Sequence, residues 1–210
     1  MRSPRSLLRR FIRAEDGTLI AETLMVLPFM CWAYMAMFVY WDAYRSVNNV
    51  QRATYSIADM LSREMRTIDA PYITGLRNLL EYMIDSDQDS KMRVTSITWS
   101  GINNRFEVLW SNSPSGAMPA LTTATLANFA DCANMVSAPE RCRIPAMSDG
   151  DTAIIVETEV QFFAAFAVPF YNVTAADQII DDGRQTIKQF VVTRPRFVPR
   201  ICFNGIVCSS

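Results

Sequence analysis

The chain has 210 residues, of which 50% are hydrophobic and 20% are charged, and its formal net charge is −1 at pH 7. This length suits one domain of ordinary size plus an appendage. A nearly neutral chain argues against a nucleic-acid-binding protein, which would normally have a basic face. Histidine is absent from the sequence, so the commonest general base and the commonest metal ligand are both missing. That absence lowers the expectation of hydrolytic or zinc chemistry.

The chain begins with a basic leader, residues 1–17, which holds five arginines against Glu15 and Asp16. An apolar run follows over residues 18–41, TLIAETLMVLPFMCWAYMAMFVYW. Because about 20 helical residues cross a bilayer core, this run predicts a transmembrane helix. The leader before the run, aromatic residues at its outer end and Asp42 directly after it predict a cytoplasmic N-terminus and an exported C-terminal part.

Three other interpretations of this segment remain open. A cleaved signal peptide fits poorly, because the run is longer than a usual h-region and no A-x-A site ends it. A mitochondrial presequence is consistent with residues 1–13, which are rich in arginine and contain no acid. A core helix of a soluble protein is the third, and the length of the run disfavours it.

Glu22 is the one charged residue of the apolar run. A carboxylate in a membrane helix costs about 2.5–3.5 kcal/mol near the bilayer centre and less near the interface, so it indicates a function. Cleavage between Gly17 and Thr18 would create an amino group about one helical turn from Glu22. That cation could neutralise the carboxylate of the same molecule or of a neighbouring subunit. The alternative is a lone glutamate that is protonated or reaches the interface.

These residues resemble a known family. A basic leader, Gly17, four mostly apolar residues, Glu22 and then Leu27-Pro28 are similar to the TadE-like pilus-assembly proteins, pseudopilins of the tight-adherence (Tad, or Flp) type IV pilus system. The resemblance covers roughly residues 1–65. It implies cleavage after Gly17 by a prepilin peptidase and use of Glu22 in subunit recognition. Thr23 departs from the family pattern, in which an aromatic residue commonly follows the glutamate.

The resemblance also implies a structural role. Because the sequence contains no Gly-rich phosphate loop, no G-x-S-x-G motif and no histidine-dependent nucleophile, neither enzymatic activity nor a cofactor is expected. The chain would be a minor, pseudopilin-like component of the Tad pilus assembly machinery in a bacterial inner membrane, with its C-terminal domain in the periplasm. Its expected partners are pilin and pseudopilin subunits, the Tad inner-membrane machinery, the prepilin peptidase and the lipid bilayer, with no nucleic acid. The alternative function is a signal-anchored periplasmic binding or sensor domain that is not processed.

The helical pattern continues past the span. Apolar or small residues recur at steps of three and four, which predicts an amphipathic extension over residues 42–66 of the same helix. A continuous helix over 18–66 would be about 73 Å long, with Pro28 bending it inside the membrane. The stripe consists of Ala43, Val47, Val50, Thr54, Ile57 and Leu61.

Residues 67–210 predict a pilin-like α+β head in which an antiparallel sheet packs against the long helix. A second helix is expected after Pro71, with Ile73, Leu76, Leu79, Leu80, Met83 and Ile84 on one face. A hairpin is expected from strands at 92–99 and 106–110, joined by Gly101, Asn103 and Asn104. The remaining expected elements are a loop at 114–119, a helix at 121–136 and strands at 152–169 and 185–193.

Four of the five cysteines, Cys132, Cys142, Cys202 and Cys208, lie in the part predicted to be exported, where disulfides persist. Four cysteines permit three pairings. We favour the local ones, 132–142 and 202–208, the second closed by an Asn204-Gly205 turn. A zinc site is the rival, but the spacings do not suit one and no histidine is available. Cys31 is expected to be an unpaired apolar residue in the membrane.

Two acidic patterns resemble functional sites. Asp85, Asp87 and Asp89 open like a calcium loop, but serines stand where the loop requires glycine and glutamate. Glu157 and Glu159 lie two apart and so share one face of a strand. Paired carboxylates could serve glycoside hydrolysis, but an exposed sheet edge explains these two as well.

Overall fold

The computed structural model describes residues 18–84, 89–127, 144–163, 180–181 and 184–206, and these form an α+β fold. The described strands make one antiparallel sheet in the order β2-β1-β3-β5-β4. The predicted α+β class and antiparallel sheet are therefore confirmed. The helices are α1 (Thr18–Arg63), α2 (Ala70–Ile84) and α3 (Thr123–Ala127); the strands are β1 (Ser90–Ser100), β2 (Arg105–Asn112), β3 (Thr152–Phe163), β4 (Ile180–Asp181) and β5 (Arg184–Thr193).

Helix α1 is a single helix of 46 residues, about 69 Å long at ~1.5 Å per residue. It contains no glycine and continues through Pro28. It ends at Arg63, three residues before the expected end, because the Glu64 carboxylate accepts the backbone N–H groups of Met65 and Arg66, each at 3.1 Å. These bonds favour the charged form of the carboxylate and therefore lower the pKa of Glu64. The bond from the Arg66 N–H is the largest cause of this shift.

The second half of α1 packs against the sheet and α2, as its stripe predicts. Ala43, Val50, Thr54, Ile57 and Leu61 are buried, and Val47 packs against the same cluster. Two hydroxyl groups meet inside this interface. The Thr54 hydroxyl donates to the Val50 carbonyl at 2.8 Å and lies 2.8 Å from the hydroxyl of Thr158 on β3. Since the single proton of Thr54 goes to Val50, Thr158 donates to Thr54.

Helix α2 begins behind Asp69, whose carboxylate accepts the N–H of Tyr72 at 2.9 Å and so caps the helix. The predicted apolar face is largely correct. Its outer row is not buried: Leu79 is half-buried and Met83 is exposed. The buried residues of α2 are Ile73, Leu76, Leu80 and Ile84.

The expected strands are all present, and β1 and β2 extend past their expected ends. The hairpin turn at 101–104 is confirmed, and Asn104 takes a φ of 47°, the left-handed conformation that asparagine tolerates. A bulge between Ser96 and Ile97 shifts the pairing of β1 with β2. The strand expected over 152–169 is β3 as far as Phe163, and the helix expected over 121–136 is α3 as far as Ala127. The rest of both lies outside the described residues.

Strand β3 runs antiparallel to α1. Thr158 meets Thr54, whereas the chain just beyond β5 meets the end of α1, where the Arg196 N–H donates to the Ser62 carbonyl at 2.8 Å. Thr193, the last residue of β5, pairs with Ile154 near the start of β3. The start of β3 therefore lies at the C-terminal end of α1. The last residues of β3 lie toward the exposed apolar half of α1.

Residues 194–206, the C-terminal strap, tie this far end of the fold together. The Ile68 N–H donates to the Cys202 carbonyl at 3.0 Å, and the Asn204 N–H donates to the Ile68 carbonyl at 2.8 Å. The indole N–H of Trp110 on β2 donates to the Ile201 carbonyl at 2.8 Å. The expected turn at 204–205 is present, with φ +87° at Gly205. The strap thus joins the linker after α1 to the sheet.

Candidate functional site

The first half of α1 is apolar and exposed. Every residue from Ala21 to Trp32 is exposed, and Met25 is 78% exposed. Further along the helix, Tyr34 is also 78% exposed. A helix that is hydrophobic on all sides requires an apolar environment around it. In the part of the chain that the structure describes, α1 is the one helix long and apolar enough to cross a membrane.

Glu22 lies near the start of this apolar segment and is exposed. It stands four residues after Thr18, the first residue of α1, so its carboxylate is about one helical turn from that end. Gly17, the residue before the predicted cut, lies outside the described residues.

Buried positions on α1 begin inside the apolar segment. Ala33 and Ala36 are half-buried and Val39 is 2% exposed, and these positions continue the stripe that starts again at Ala43. The steps of three and four keep all of them on one side of the helix. The buried positions of the apolar segment therefore lie on the same helix face as the stripe from Ala43 to Leu61.

A second face of α1 points away from the head. Tyr34, Met37, Trp41 and Tyr44 follow one another at steps of three, four and three, and all four are exposed. Aromatic side chains of this kind are enriched both at membrane interfaces and at helix contacts. We call this surface the outer face of α1.

The carboxylates on β3 do share a face, but they do not lie at a sheet edge. The interpretation that an exposed sheet edge explains Glu157 and Glu159 is wrong, because β3 lies between β1 and β5. Glu157 Oε2 is 2.6 Å from both Nε and Nη2 of Arg93, and the two side chains are only 14% and 11% exposed. Glu159 lies 3.5 Å from Lys188. Each carboxylate therefore pairs with a cation from a neighbouring strand.

Burial raises the pKa of Glu157, although the charge and hydrogen bonds of Arg93 act in the opposite direction. Arg93 also donates to the Pro119 carbonyl, which holds the loop after β2 against the sheet. The sequence could not identify Arg93 as the partner of Glu157, because 64 residues separate them and the register of β1 against β3 brings them together.

The other predicted sites lie wholly or partly outside the described residues. Cys31 is an exposed free thiol on α1, and Cys202 is half-buried in the strap. Of the three aspartates in the calcium-like pattern, only Asp89 is among the described residues, and Ser90 and Ser96, which depart from that pattern, lie on β1. Within the described ranges, no group of three or more residues that could bind a metal comes together. The undescribed members of the predicted sites are Cys132, Cys142, Cys208, Asp85 and Asp87.

Comparison of the chain with models of protein families, with curated proteins and with solved structures found no match in any of the three.

Proposed function

We propose that this chain is a pseudopilin-like minor component of a Tad-type pilus assembly machine, anchored in a bacterial inner membrane by residues 18–41. The observation that supports this function most strongly is the division of α1 into two halves. Residues 21–32 of the first half are exposed on all sides and apolar apart from Glu22, and the second half packs along an antiparallel sheet. A single helix that serves as both membrane anchor and spine of the head is the arrangement expected for a pilin-like subunit.

In this proposal α1 is an assembly element. Cleavage after Gly17 gives Thr18 a free amino group, which pairs with Glu22 of a neighbouring subunit inside the membrane. A buried carboxylate is strongly stabilised by an opposite charge, since the alternative is an unpaired charge in a medium of low dielectric constant. The outer face of α1, with Tyr34 and Trp41, then packs against the helices of pilin-type partners.

The orientation follows from the basic leader, which places the N-terminus in the cytoplasm and the head in the periplasm. The periplasm would also maintain disulfides. Non-reducing peptide mapping by mass spectrometry tests the pairs 132–142 and 202–208, and a set of free thiols would contradict them.

The first experiment tests processing. The chain is coexpressed with the prepilin peptidase of its own organism, and the N-terminus is determined by mass spectrometry. A start at Thr18 that is lost in the Gly17→Ala variant supports the pseudopilin. An N-terminus that remains near Met1 rejects processing and favours the alternative, a signal-anchored periplasmic binding or sensor domain.

The second experiment tests Glu22. Replacement by Gln keeps the shape of the side chain and removes its charge, so we expect recovery of partner pilins in pulldowns to fall about tenfold or more, which corresponds to ~1.4 kcal/mol. Asp42→Asn, which removes a carboxylate at the other end of the apolar segment, is the matched control and should leave recovery unchanged. If Glu22→Gln and Glu22→Ala both assemble like the wild type, the pairing role is wrong.

A further inference from the structure

The outer face of α1 is part of a longer row of residues that follow one another at alternating steps of three and four. The row runs from Leu27 to Tyr55 within the single helix α1, a length of about 42 Å at ~1.5 Å per residue. Its members occupy the first and fourth places of successive heptads, the positions that line a coiled coil. We call this row the heptad seam, and it consists of Leu27, Met30, Tyr34, Met37, Trp41, Tyr44, Asn48, Gln51 and Tyr55.

The heptad seam is exposed and contains no charged residue. Asn48 is half-buried, and every other member is exposed. The charged residues between Leu27 and Tyr55 all lie at other positions of α1, and they are Asp42, Arg45 and Arg52. Charge is therefore kept out of this one row, both inside the apolar segment and after α1 has left it.

The sheet packs on the other side of α1. Ala43, Val50 and Ile57 are buried in the core, and each of them stands two residues after a member of the heptad seam. Two residues correspond to about 200° around a helix of ~3.6 residues per turn, which is nearly the opposite side. A neighbouring helix on the heptad seam would therefore lie on the side of α1 away from the sheet.

Lipid can cover only part of the heptad seam. Under the proposed function the bilayer surrounds residues 18–41, and Tyr55 stands 14 residues beyond Trp41 on the same helix, which is about 21 Å. The headgroup region adds only about 5–7 Å beyond each side of the hydrocarbon core. Tyr55 is 54% exposed and lies beyond this region, so a protein surface is what can remove its ring from water.

The area of the heptad seam matches what a stable pair of helices needs. All of its members except Asn48 and Gln51 are large apolar or aromatic side chains that are more than half exposed. At on the order of 100 Å² for each of these side chains, one helix offers roughly 700 Å², close to the ~800 Å² that each partner contributes to an interface of standard size.

Asn48 favours a second copy of the same chain as the occupant. An asparagine at the first place of a heptad is best paired with another asparagine at the same level, and it then fixes the register of the two helices. A parallel copy in register supplies this partner. Asn48 donates an N–H to the Tyr44 carbonyl at 3.0 Å, a bond that uses neither the second N–H of the amide nor its oxygen.

The residues beside the heptad seam are also compatible with a parallel copy. In a parallel pair, the seventh place of one heptad faces the fifth place of the next heptad on the other helix. Tyr40 of each copy would thus lie beside Arg45 of the other, an aromatic ring against a guanidinium group. Arg45 and Arg52 both occupy fifth places, so these arginines do not face one another in the pair.

We propose that the heptad seam joins two copies of this chain as a parallel, two-stranded coiled coil. This rests on the proposed function only for the location of residues 18–41 in the membrane, and it identifies the partner of the outer face as a second copy. A row that repeats every seven residues drifts around a straight helix, so the two helices cross at about 20° in a left-handed supercoil. Glu22 stands five residues before Leu27, about 140° around the helix from it, so the pairing proposed for Glu22 uses a different side of α1.

Cysteine crosslinking in native membranes tests whether two copies meet along the heptad seam. Gln51→Cys is introduced in a Cys31→Ala background, and Met60→Cys, at an exposed position of α1 off the seam, is the matched control. After oxidation, Gln51→Cys should give a dimer on a non-reducing gel, with a disulfide between the two positions 51 identified by mass spectrometry, and Met60→Cys should give none. The inference is overturned if Gln51→Cys gives no dimer, if both variants crosslink equally, or if position 51 bonds only to another protein.

Energy transfer between donor-labelled and acceptor-labelled full chains in lipid vesicles measures the strength of the pair. Tyr55→Glu places like charges against each other across the heptad seam and should raise the dissociation constant of the pair about tenfold. Met60→Glu makes the same change off the seam and should leave the transfer unchanged. Thermal unfolding of both variants checks that the head remains folded, and a folded Tyr55→Glu variant with unchanged transfer would overturn the inference.

Membrane fractionation of the same cells distinguishes failure of this inference from failure of the proposed function. A chain that lies in the membrane fraction without a crosslink at position 51 overturns the pairing of two copies and leaves the experiments on Gly17 and Glu22 standing. A crosslinked pair whose N-terminus remains near Met1, and whose assembly is unchanged by Glu22→Gln, supports the heptad seam and rejects the pseudopilin.

Discussion

The ion pair between Arg93 and Glu157 allows a quantitative test of how the sheet is stabilised. The two side chains come from adjacent strands, β1 and β3, and are 11% and 14% exposed. Both Nε and Nη2 of Arg93 lie 2.6 Å from the same carboxylate oxygen. Arg93 also donates to the Pro119 carbonyl.

Two terms of similar size act on this pair. Unit charges about 4 Å apart attract by about 4 kcal/mol at an effective dielectric constant of ~20. Removing each ion from water costs several kcal/mol. Because the pKa of Glu157 is raised, with burial as the main cause, the attraction of Arg93 does not fully offset the loss of hydration. The charge of Glu157 therefore adds little net stability.

We accordingly predict an asymmetry between the two partners. Glu157→Gln keeps an acceptor for Arg93 and should leave the free energy of unfolding within about 1 kcal/mol of the wild type. Arg93→Met leaves a buried carboxylate without its cation and should cost about 3–5 kcal/mol. The double replacement Arg93→Met/Glu157→Leu should recover most of that loss, since apolar side chains of similar volume replace such pairs at little cost.

Urea unfolding of the full chain in detergent, followed by the fluorescence of Trp99 and Trp110 in the sheet, measures these differences. Equal losses for Glu157→Gln and Arg93→Met would refute the argument, because the pair would then contribute stability through both charges. A double variant as unstable as Arg93→Met would also refute it.

The pH dependence of stability follows from the same pKa shift. A folded-state pKa above the unfolded value of 4.5 means that the folded protein holds the Glu157 proton more tightly. The contribution of this group to stability is fully present below pH 4.5 and is lost as the pH rises through the folded pKa. Glu157→Gln should remove this decline, and Arg93→Met should steepen it because the causes that lower the pKa are gone.

Five further replacements provide three tests of the core. Ile57→Ala removes a side chain that is fully buried between α1 and the sheet and should lower stability by about 2–5 kcal/mol. Met60→Ala, at a position 45% exposed on the same helix, should change stability by less than about 0.5 kcal/mol. Equal urea midpoints for the two variants would contradict the packing of α1. Thr54→Val leaves the Thr158 hydroxyl without its acceptor and should cost about 1–3 kcal/mol. Thr158→Val should cost less, because Thr54 keeps its bond to the backbone, and the reverse order would show that the donor assignment is wrong. Ser96→Ala removes a buried hydroxyl that has no hydrogen-bond partner among the described residues and should be neutral or stabilising by up to ~1 kcal/mol; a clear loss of thermal stability would show that the hydroxyl is bonded.

Secondary-structure elements that are marked by a local pattern in the sequence were predicted correctly. The stripe from Ala43 to Leu61 is buried as expected, and the hairpin turn at 101–104 lies where its asparagines and glycine indicate. Strand β5 (Arg184–Thr193) begins one residue before its expected start. In each case the signal is a repeat of three to four or two residues, so it is contained within the element itself.

Contacts between distant parts of the chain were not predicted. The sequence did not determine which strands flank β3, which is why Glu157 was ascribed to an exposed edge rather than paired with Arg93. Nor did it indicate that the strap would return to the end of α1 and bring Arg196 to Asp59. These contacts span 64 and 137 residues.

The sequence by itself determined that the chain has a long helix with an apolar first half, a stripe along its second half and an α+β remainder. Its resemblance to pseudopilins leads to the experiments on Gly17 and Glu22. Only the tertiary structure decided the order of the strands, which carboxylate is buried with a cation, and that Arg196 of the strap reaches Asp59 near the end of α1. The physical reason is that amphipathic periodicity is a local property, whereas strand order and the pairing of buried charges are fixed by packing of the whole sheet against α1.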